Sequence, residues 1–217
     1  MSRNLKISAG LLAAFVAVLL AAAFFGESAP TPADPVTSSD AAQLVRPDSH
    51  RLSTAPDGKV TLVEFLDFEC ESCRAAFPAV ERLRAEYAGR VTFVVRYFPI
   101  PSHRNAEAAA IAVEAAAQQG KFEAMYRKMY ETQADWGEQQ TSKASVFRGF
   151  AEELGLDMQS YDRAVADPET SARVRRDRDD GVALGVQGTP TFFLNGQRLD
   201  VRSAEDLKAK VDCALGG

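Results

Sequence analysis

The chain has 217 residues, 46% of them hydrophobic, with 25 basic and 30 acidic side chains and three cysteines. That is enough apolar material for one globular domain with extensions. The acidic balance argues against nucleic acid, whose phosphates need clustered Lys and Arg, and three cysteines are too few for a small disulfide-stapled scaffold.

Residues 1–26 carry Arg3 and Lys6, no acid, and then an apolar run over 7–25. This reads as a targeting segment outside the fold, either a signal peptide or a membrane anchor. Its length lies at the border of a minimal span of about 20 residues, which favours an uncleaved anchor, although Ala21-Ala22-Ala23 would suit cleavage. The two basic residues would stay in the cytoplasm and place the rest outside. The protein is then extracytoplasmic, tethered to the cell membrane by residues 7–25, or secreted or periplasmic if the leader is cut. Without Arg3 and Lys6, 23 basic residues face 30 acidic ones.

Residues 27–57 open with "ESAPTPADPVTSSDAAQ", too poor in large apolar residues to order itself, and read as a tether spanning about 30 Å r.m.s.. Its last part, "LVRPDSHRL" (44–52), alternates enough to add a short edge strand. The domain proper is expected over 58–217. "KVTLVEFLDF" (59–68) and "RVTFVVRYF" (90–98) read as central strands. Between them, residues 70–89 carry one apolar helical stripe ended by Gly89. Strand, helix and strand make a right-handed βαβ unit. Four helical segments follow, with an insertion expected over about 103–167, and Pro168 opens another helix. "GTPTFFLNGQRLDV" is a hairpin turning at Asn195-Gly196, with strands at 191–194 and 197–201. Ser203 caps a last helix. The predicted class is α/β, βαβ…ββα with a helical insertion. "ARVRRDRDDG" (172–181) pairs Arg and Asp four apart and reads as a solvated helix face.

The chemistry concentrates at Cys70-Glu71-Ser72-Cys73. Outside the cytoplasm such a pair is expected to cycle as a disulfide rather than hold zinc. Cys70 falls where strand gives way to helix, and the unpaired N–H groups of a helix start stabilise a thiolate. Cys73, one turn in, is placed to resolve a mixed disulfide formed at Cys70. Glu64, six residues earlier in an apolar strand, points inward beneath the cysteines and suits the role of base for Cys73. Thr189-Pro190, just before a short strand, is a place for a cis bond. The Thr189 backbone would then be offered to a substrate peptide.

From about Ser49 onward the sequence resembles the thioredoxin superfamily, and within it the DsbA-like exported thiol–disulfide oxidoreductases, whose thioredoxin fold carries a helical insertion. The resemblance rests on "VEFLDFECESC", "RYFPIPSHRNAEAAA" and "LGVQGTPTFFLNG". It implies an exposed nucleophile at Cys70, a resolver at Cys73, a buried acid at Glu64 and a cis-proline loop at Thr189-Pro190. It implies exported, cysteine-containing polypeptides as substrates and neither cofactor nor metal. For an oxidase, the favoured direction over isomerase or reductase, it implies a membrane reoxidant that is DsbB-like or vitamin K epoxide reductase-like. One departure stands out: Glu71-Ser72 replaces the family's Pro-His, with Asp67 and Glu69 close by. Three carboxylates should oppose the thiolate, giving a thiol pKa above the DsbA figure of about 3.5 and a potential below about −120 mV.

The competing reading is a copper carrier that uses the same two cysteines for a soft ion. Against it stand the lack of a third ligand at useful spacing and of a methionine cluster. Cys213 is expected as a buried, inert thiol, His50 as a surface residue, and His103 and Trp136 in structural roles.

Overall fold

The computed structural model describes residues 43–216; the leader or anchor (1–26) and the first part of the tether lie outside them. Among the described residues no helix is long and apolar enough to cross a membrane.

Two strands rich in β-branched and aromatic residues, β2 (Thr61–Leu66) and β3 (Thr92–Tyr97), form the centre of the sheet. They pair in parallel, Thr61 opposite Thr92 through Leu66 opposite Tyr97. Helix α1 (Glu71–Glu86) makes the crossover between them. Parallel strands buried on both faces need continuous apolar runs, and β3 is buried at every position. An edge strand β1 (His50–Ser53) runs antiparallel to β3. On the other side β4 (Thr191–Leu194) runs antiparallel to β2, and β5 (Gln197–Arg198) to β4. The order is β1-β3-β2-β4-β5. Asn195 and Gly196 both have positive φ, 49° and 88°, as a type I′ turn requires. The last strand stops earlier than predicted. Leu199 N–H still reaches Phe192 O at 2.9 Å, but Asp200, Val201 and Arg202 turn away to wall a groove.

Helices α2 (Ala106–Ala117), α3 (Phe122–Trp136), α4 (Ala144–Glu153) and α5 (Met158–Ala166) follow β3. Then come α6 (Pro168–Ala183) and, after the hairpin, α7 (Ala204–Ala214). Asp157, Asp167 and Ser203 accept hydrogen bonds from N–H groups in the first turns of α5, α6 and α7, satisfying donors the helices leave unpaired. The sheet divides the core. Leu62, Leu66, Phe93 and Val95 join the large cluster shared with α1, α7 and α2–α5. Val63, Phe65, Val94 and Phe98 form a smaller one. There α6 comes so close that a Cβ on Gly181 would lie 2.7 Å from the Phe98 ring.

Three expectations change. The tether ends before residue 57, because Leu44, Leu52 and Ala55 are buried and β1 is part of the sheet; the packed domain therefore begins earlier than residue 58. The 172–181 stretch is not a solvated face throughout: Asp177, Asp180 and Arg173 are buried. Arg173 pairs with Asp177 one turn on, and the two aspartates share Arg96, fully buried on β3, which donates to Asp177 at 2.8 Å and Asp180 at 2.5 Å. Its remaining N–H groups reach the carbonyls of Gln43 and Leu44, and Arg46 also pairs with Asp180 at 2.5 Å. A four-residue spacing could not reveal a cation arriving from another element. His50, finally, is half-buried. It stacks on Phe122 and lies 2.6 Å from Glu114 Oε2, which ties β1 to α2.

Removing Asp177 leaves the buried Arg96 with only Asp180, which it shares with Arg46, so a buried positive charge goes uncompensated. Asp177→Ala should cost about 3–5 kcal/mol, read as a lower urea midpoint with unchanged slope. A loss below about 1 kcal/mol would mean that water reaches Arg96.

Candidate active site

Strand β2 ends at Leu66, and residues 67–70 carry the chain to α1, whose N-cap is Cys70. No side chain caps that end, so the first N–H groups of the helix remain available to the cysteine sulfur. Both Cys70 and Cys73 are free thiols. The Cys70 thiol donates to Thr189 O at 3.3 Å, across from the cis Thr189–Pro190 bond.

The two cysteines are pushed in opposite directions. The Cys70 pKa falls to about 5, first because the Cys73 thiol donates to its sulfur, and further through Thr189 and the N–H groups of Cys73 and Ser72. Partial burial works against this. Thr189 Oγ1 is buried and makes no well-formed hydrogen bond in the dithiol, leaving its hydroxyl free to turn toward a thiolate. Burial holds Cys73 well above the ordinary thiol range, with the hydrogen bond to Cys70 and the Glu64 carboxyl adding to it. Glu64 is buried in the sheet beneath them. Burial raises its pKa to about 8, with Glu81 and Cys70 contributing. An acid neutral at low pH and ionised near pH 8 can hold or accept a proton from a neighbouring thiol.

The fold thus brings Cys70, Cys73, Glu64, Thr189 and Pro190 together. Three details differ from expectation. Cys70 is the outer thiol but not an open one: it is 8% exposed against 1% for Cys73, because the Thr189–Pro190 loop roofs it. Beside it, between α1 and the hairpin, lies a groove of about 620 Å³ that Ser72, Thr189 and Pro190 line but neither cysteine does. Ala75, Ala76, Pro190 and Val201 line it, with Arg198 and Arg202 also on its wall. Asp67 and Glu69, expected to oppose the thiolate, are 1% and 2% exposed and turned into the fold. Asp67 accepts from Glu69 N, Ile100 N and His103 Nδ1, and Glu69 accepts from Asn105 N. Cys213, expected buried, is exposed on α7.

The sequence reading missed α3 as part of the site. Tyr130 Oη donates to Asp67 O at 3.3 Å. Gln133 Nε2 donates to Phe68 O at 2.6 Å and Cys70 O at 3.0 Å. The one signal was a polar residue at a helical position otherwise in register with Met125, Met129 and Trp136.

On a Cys213→Ser background, thiolate absorbance should titrate near pH 5, and Cys73→Ala should move the midpoint upward by removing the donor that lowers it most. Glu64 sets a second pH dependence. Its folded pKa, about 8, lies above the unfolded value of about 4.3. Between these the native state retains a proton that the unfolded chain has lost, so stability falls as pH rises through that window. In the disulfide form, Glu64→Gln should flatten that fall in pH-resolved urea melts; an unchanged slope would place the Glu64 carboxyl in water.

A thioredoxin family model (Thioredoxin_4) matches residues 50–213. A curated relative, the Na(+)/H(+) antiporter NhaA 3 of Salinispora tropica, is 37% identical over 155 residues, which is 71% of this chain but 23% of that protein. The chain thus spans about a quarter of the length of the curated relatives it matches. Among solved structures, a thioredoxin-like oxidoreductase from Silicibacter pomeroyi DSS-3 is 29% identical with a TM-score of 0.68, covering 81% of this chain and 98% of that one. Alpha-DsbA1 from Wolbachia pipientis shares the fold at 16% identity and a TM-score of 0.72, covering 82% and 96%. With a strand-to-helix cysteine pair, a cis-proline loop facing it and four helices inserted after β3, the chain has the fold of the DsbA structures and belongs to the thioredoxin family.

Proposed function

We propose that this domain oxidises thiols of exported polypeptides, with Cys70 and Cys73 as its redox-active pair. The observation that carries the reading is the split between the two thiols: Cys70 is ionised at neutral pH while Cys73 is not. A stabilised thiolate favours the reduced form, so the disulfide form tends to give up its bond to a substrate.

In the forward direction a substrate thiolate attacks Cys70 Sγ of the Cys70–Cys73 disulfide. The S–S bond breaks, a mixed disulfide forms at Cys70, and Cys73 leaves as a thiolate that takes a proton, which the buried Glu64 carboxyl, whose charge acts on Cys73, would supply. A second substrate thiolate then attacks the mixed disulfide at the substrate's own sulfur and expels Cys70 as a thiolate. The substrate has lost two electrons and the domain has gained them. Running backwards, Glu64 accepts the Cys73 proton. The peptide would lie in the groove beside Pro190 and pair with the Thr189 backbone, as extended chains pair with exposed backbone groups.

Turnover as an oxidase needs a membrane reoxidant of the DsbB-like or vitamin K epoxide reductase-like kind. A tether over the first part of 27–57 and an anchor at 7–25 would hold the domain within reach of it. Copper delivery has less support: among the described residues no third His, Cys, Asp or Glu joins the two sulfurs in a ligand cluster.

Equilibration with glutathione should give a potential between about −120 mV and about −230 mV, less oxidising than DsbA because the Cys70 thiol stays above about pKa 3.5. Cys73→Ala should accumulate mixed disulfides with exported proteins, and the wild-type domain should oxidise reduced ribonuclease. A potential below about −270 mV, where thioredoxin lies, would reverse the direction. Stoichiometric Cu(I) binding without any thiol exchange would remove the reading altogether.

A further inference from the structure

The loop from β2 to α1 is held from outside the sheet. Asp67 O accepts from Tyr130, Phe68 O and Cys70 O both accept from the Gln133 amide, and the Glu69 carboxylate accepts from Asn105. Every residue of 67–70 is therefore bound by the segment that follows β3. Gln133 is the most committed of these partners. It is 2% exposed, and its single amide nitrogen spans two carbonyls two residues apart. One of them, Cys70 O, also accepts the first hydrogen bond of α1, from Arg74 N at 3.1 Å. Among the described residues no other side chain donates to either carbonyl.

This arrangement has a consequence at the sulfur. The Cys70 side chain and carbonyl leave the same Cα, so the sulfur keeps its place beside the Ser72 and Cys73 N–H groups, which lower its pKa without a formed cap hydrogen bond, only while the Cys70 backbone keeps its extended N-cap conformation, φ −70° and ψ 120°. Gln133 fixes the carbonyl side of that geometry, and it does so from α3.

We propose that Gln133 is a positioning residue for thiol–disulfide exchange, clamping the Phe68 and Cys70 carbonyls so that the first turn of α1 stays aimed at the Cys70 sulfur. The helical insertion then tunes the reactivity of the nucleophile as well as covering the site. This rests on the reading of Cys70 as the exchanging thiol.

Two variants on the Cys213→Ser background test it. Gln133→Met keeps the length without a donor, and Gln133→Asn keeps the amide one methylene too short to span both carbonyls. Phe147→Leu, packed against Trp136 in the same insertion and carrying no donor for the loop carbonyls, controls for general loosening. The readouts are the thiolate midpoint, the equilibrium constant with glutathione and the thermal midpoint. Either Gln133 variant that folds should raise the thiolate midpoint by about half a unit to one unit. The glutathione constant should shift about three- to tenfold toward retention of the disulfide, some 15–30 mV. Phe147→Leu should lower the thermal midpoint and leave both thiol readouts in place. A folded Gln133 variant with the wild-type midpoint and constant overturns the proposal, as does an equal shift in Phe147→Leu. A wild-type Cys70 that titrates like a free cysteine, or fails to exchange with glutathione, overturns the exchange reading itself whatever Gln133 does.

Discussion

The chemistry of this domain depends on stabilising one negative sulfur where α1 begins. The start of a helix carries N–H groups with no partner inside it, and here no polar side chain takes them. They are left to Cys70, whose thiol pKa falls to about 5 under the combined pull of Cys73, Thr189 and those N–H groups. Its neighbour, one turn deeper, experiences the same fold as burial and is held protonated. One short motif thus yields two thiols of opposite character, because a single helical turn separates the helix mouth from the core.

Such a site works only if its backbone does not drift, and two buried polar systems fix it from opposite faces of the sheet. On the α6 side, Arg96 joins β3 to Asp177 and Asp180 and to the carbonyls of Gln43 and Leu44. Buried ion pairs contribute little net stability but penalise wrong arrangements strongly. This one ties the segment before β1 to the body of the domain. On the α1 side, Tyr130, Gln133 and Asn105 bind the loop itself. The insertion is therefore joined to the chemistry by hydrogen bonds, with apolar contacts such as Phe68 against Tyr130 packed around them.

Much of the site could be read in advance. Glu64 within "TLVEFL" had to face inward, because strand alternation puts it on the same face as Leu62 and Leu66. Cys70 and Cys73 were placed at a helix start by their spacing and by the change from strand to helix pattern, and the structure puts Cys70 at the N-cap of α1 with Cys73 in its first turn. Asn195-Gly196 announced a turn that few other pairs can make. The failures share a cause. Reading Asp67 and Glu69 as charges against the thiolate, and Asp177 and Asp180 as a solvated face, follows from the rule that an isolated carboxylate seldom stays buried. Each is buried because a donor reaches it from elsewhere in the chain: Ile100 and His103, Asn105, and Arg96. Cys213 failed in the other direction, since its helix turns Leu207 and Val211 inward and leaves it outside.

Local order and chemical type were determined by the sequence alone: the α/β succession, the helix starts, the cysteine pair, the acid beneath it and the proline loop. These follow from periodicity and residue chemistry, which act over a few neighbouring positions. Tertiary structure alone decided which charges are buried, how far the loop roofs Cys70, and that a glutamine 63 residues away holds the cysteine's carbonyl. Hydrogen bonds and desolvation depend on distance in space, and no spacing within a linear chain reports it.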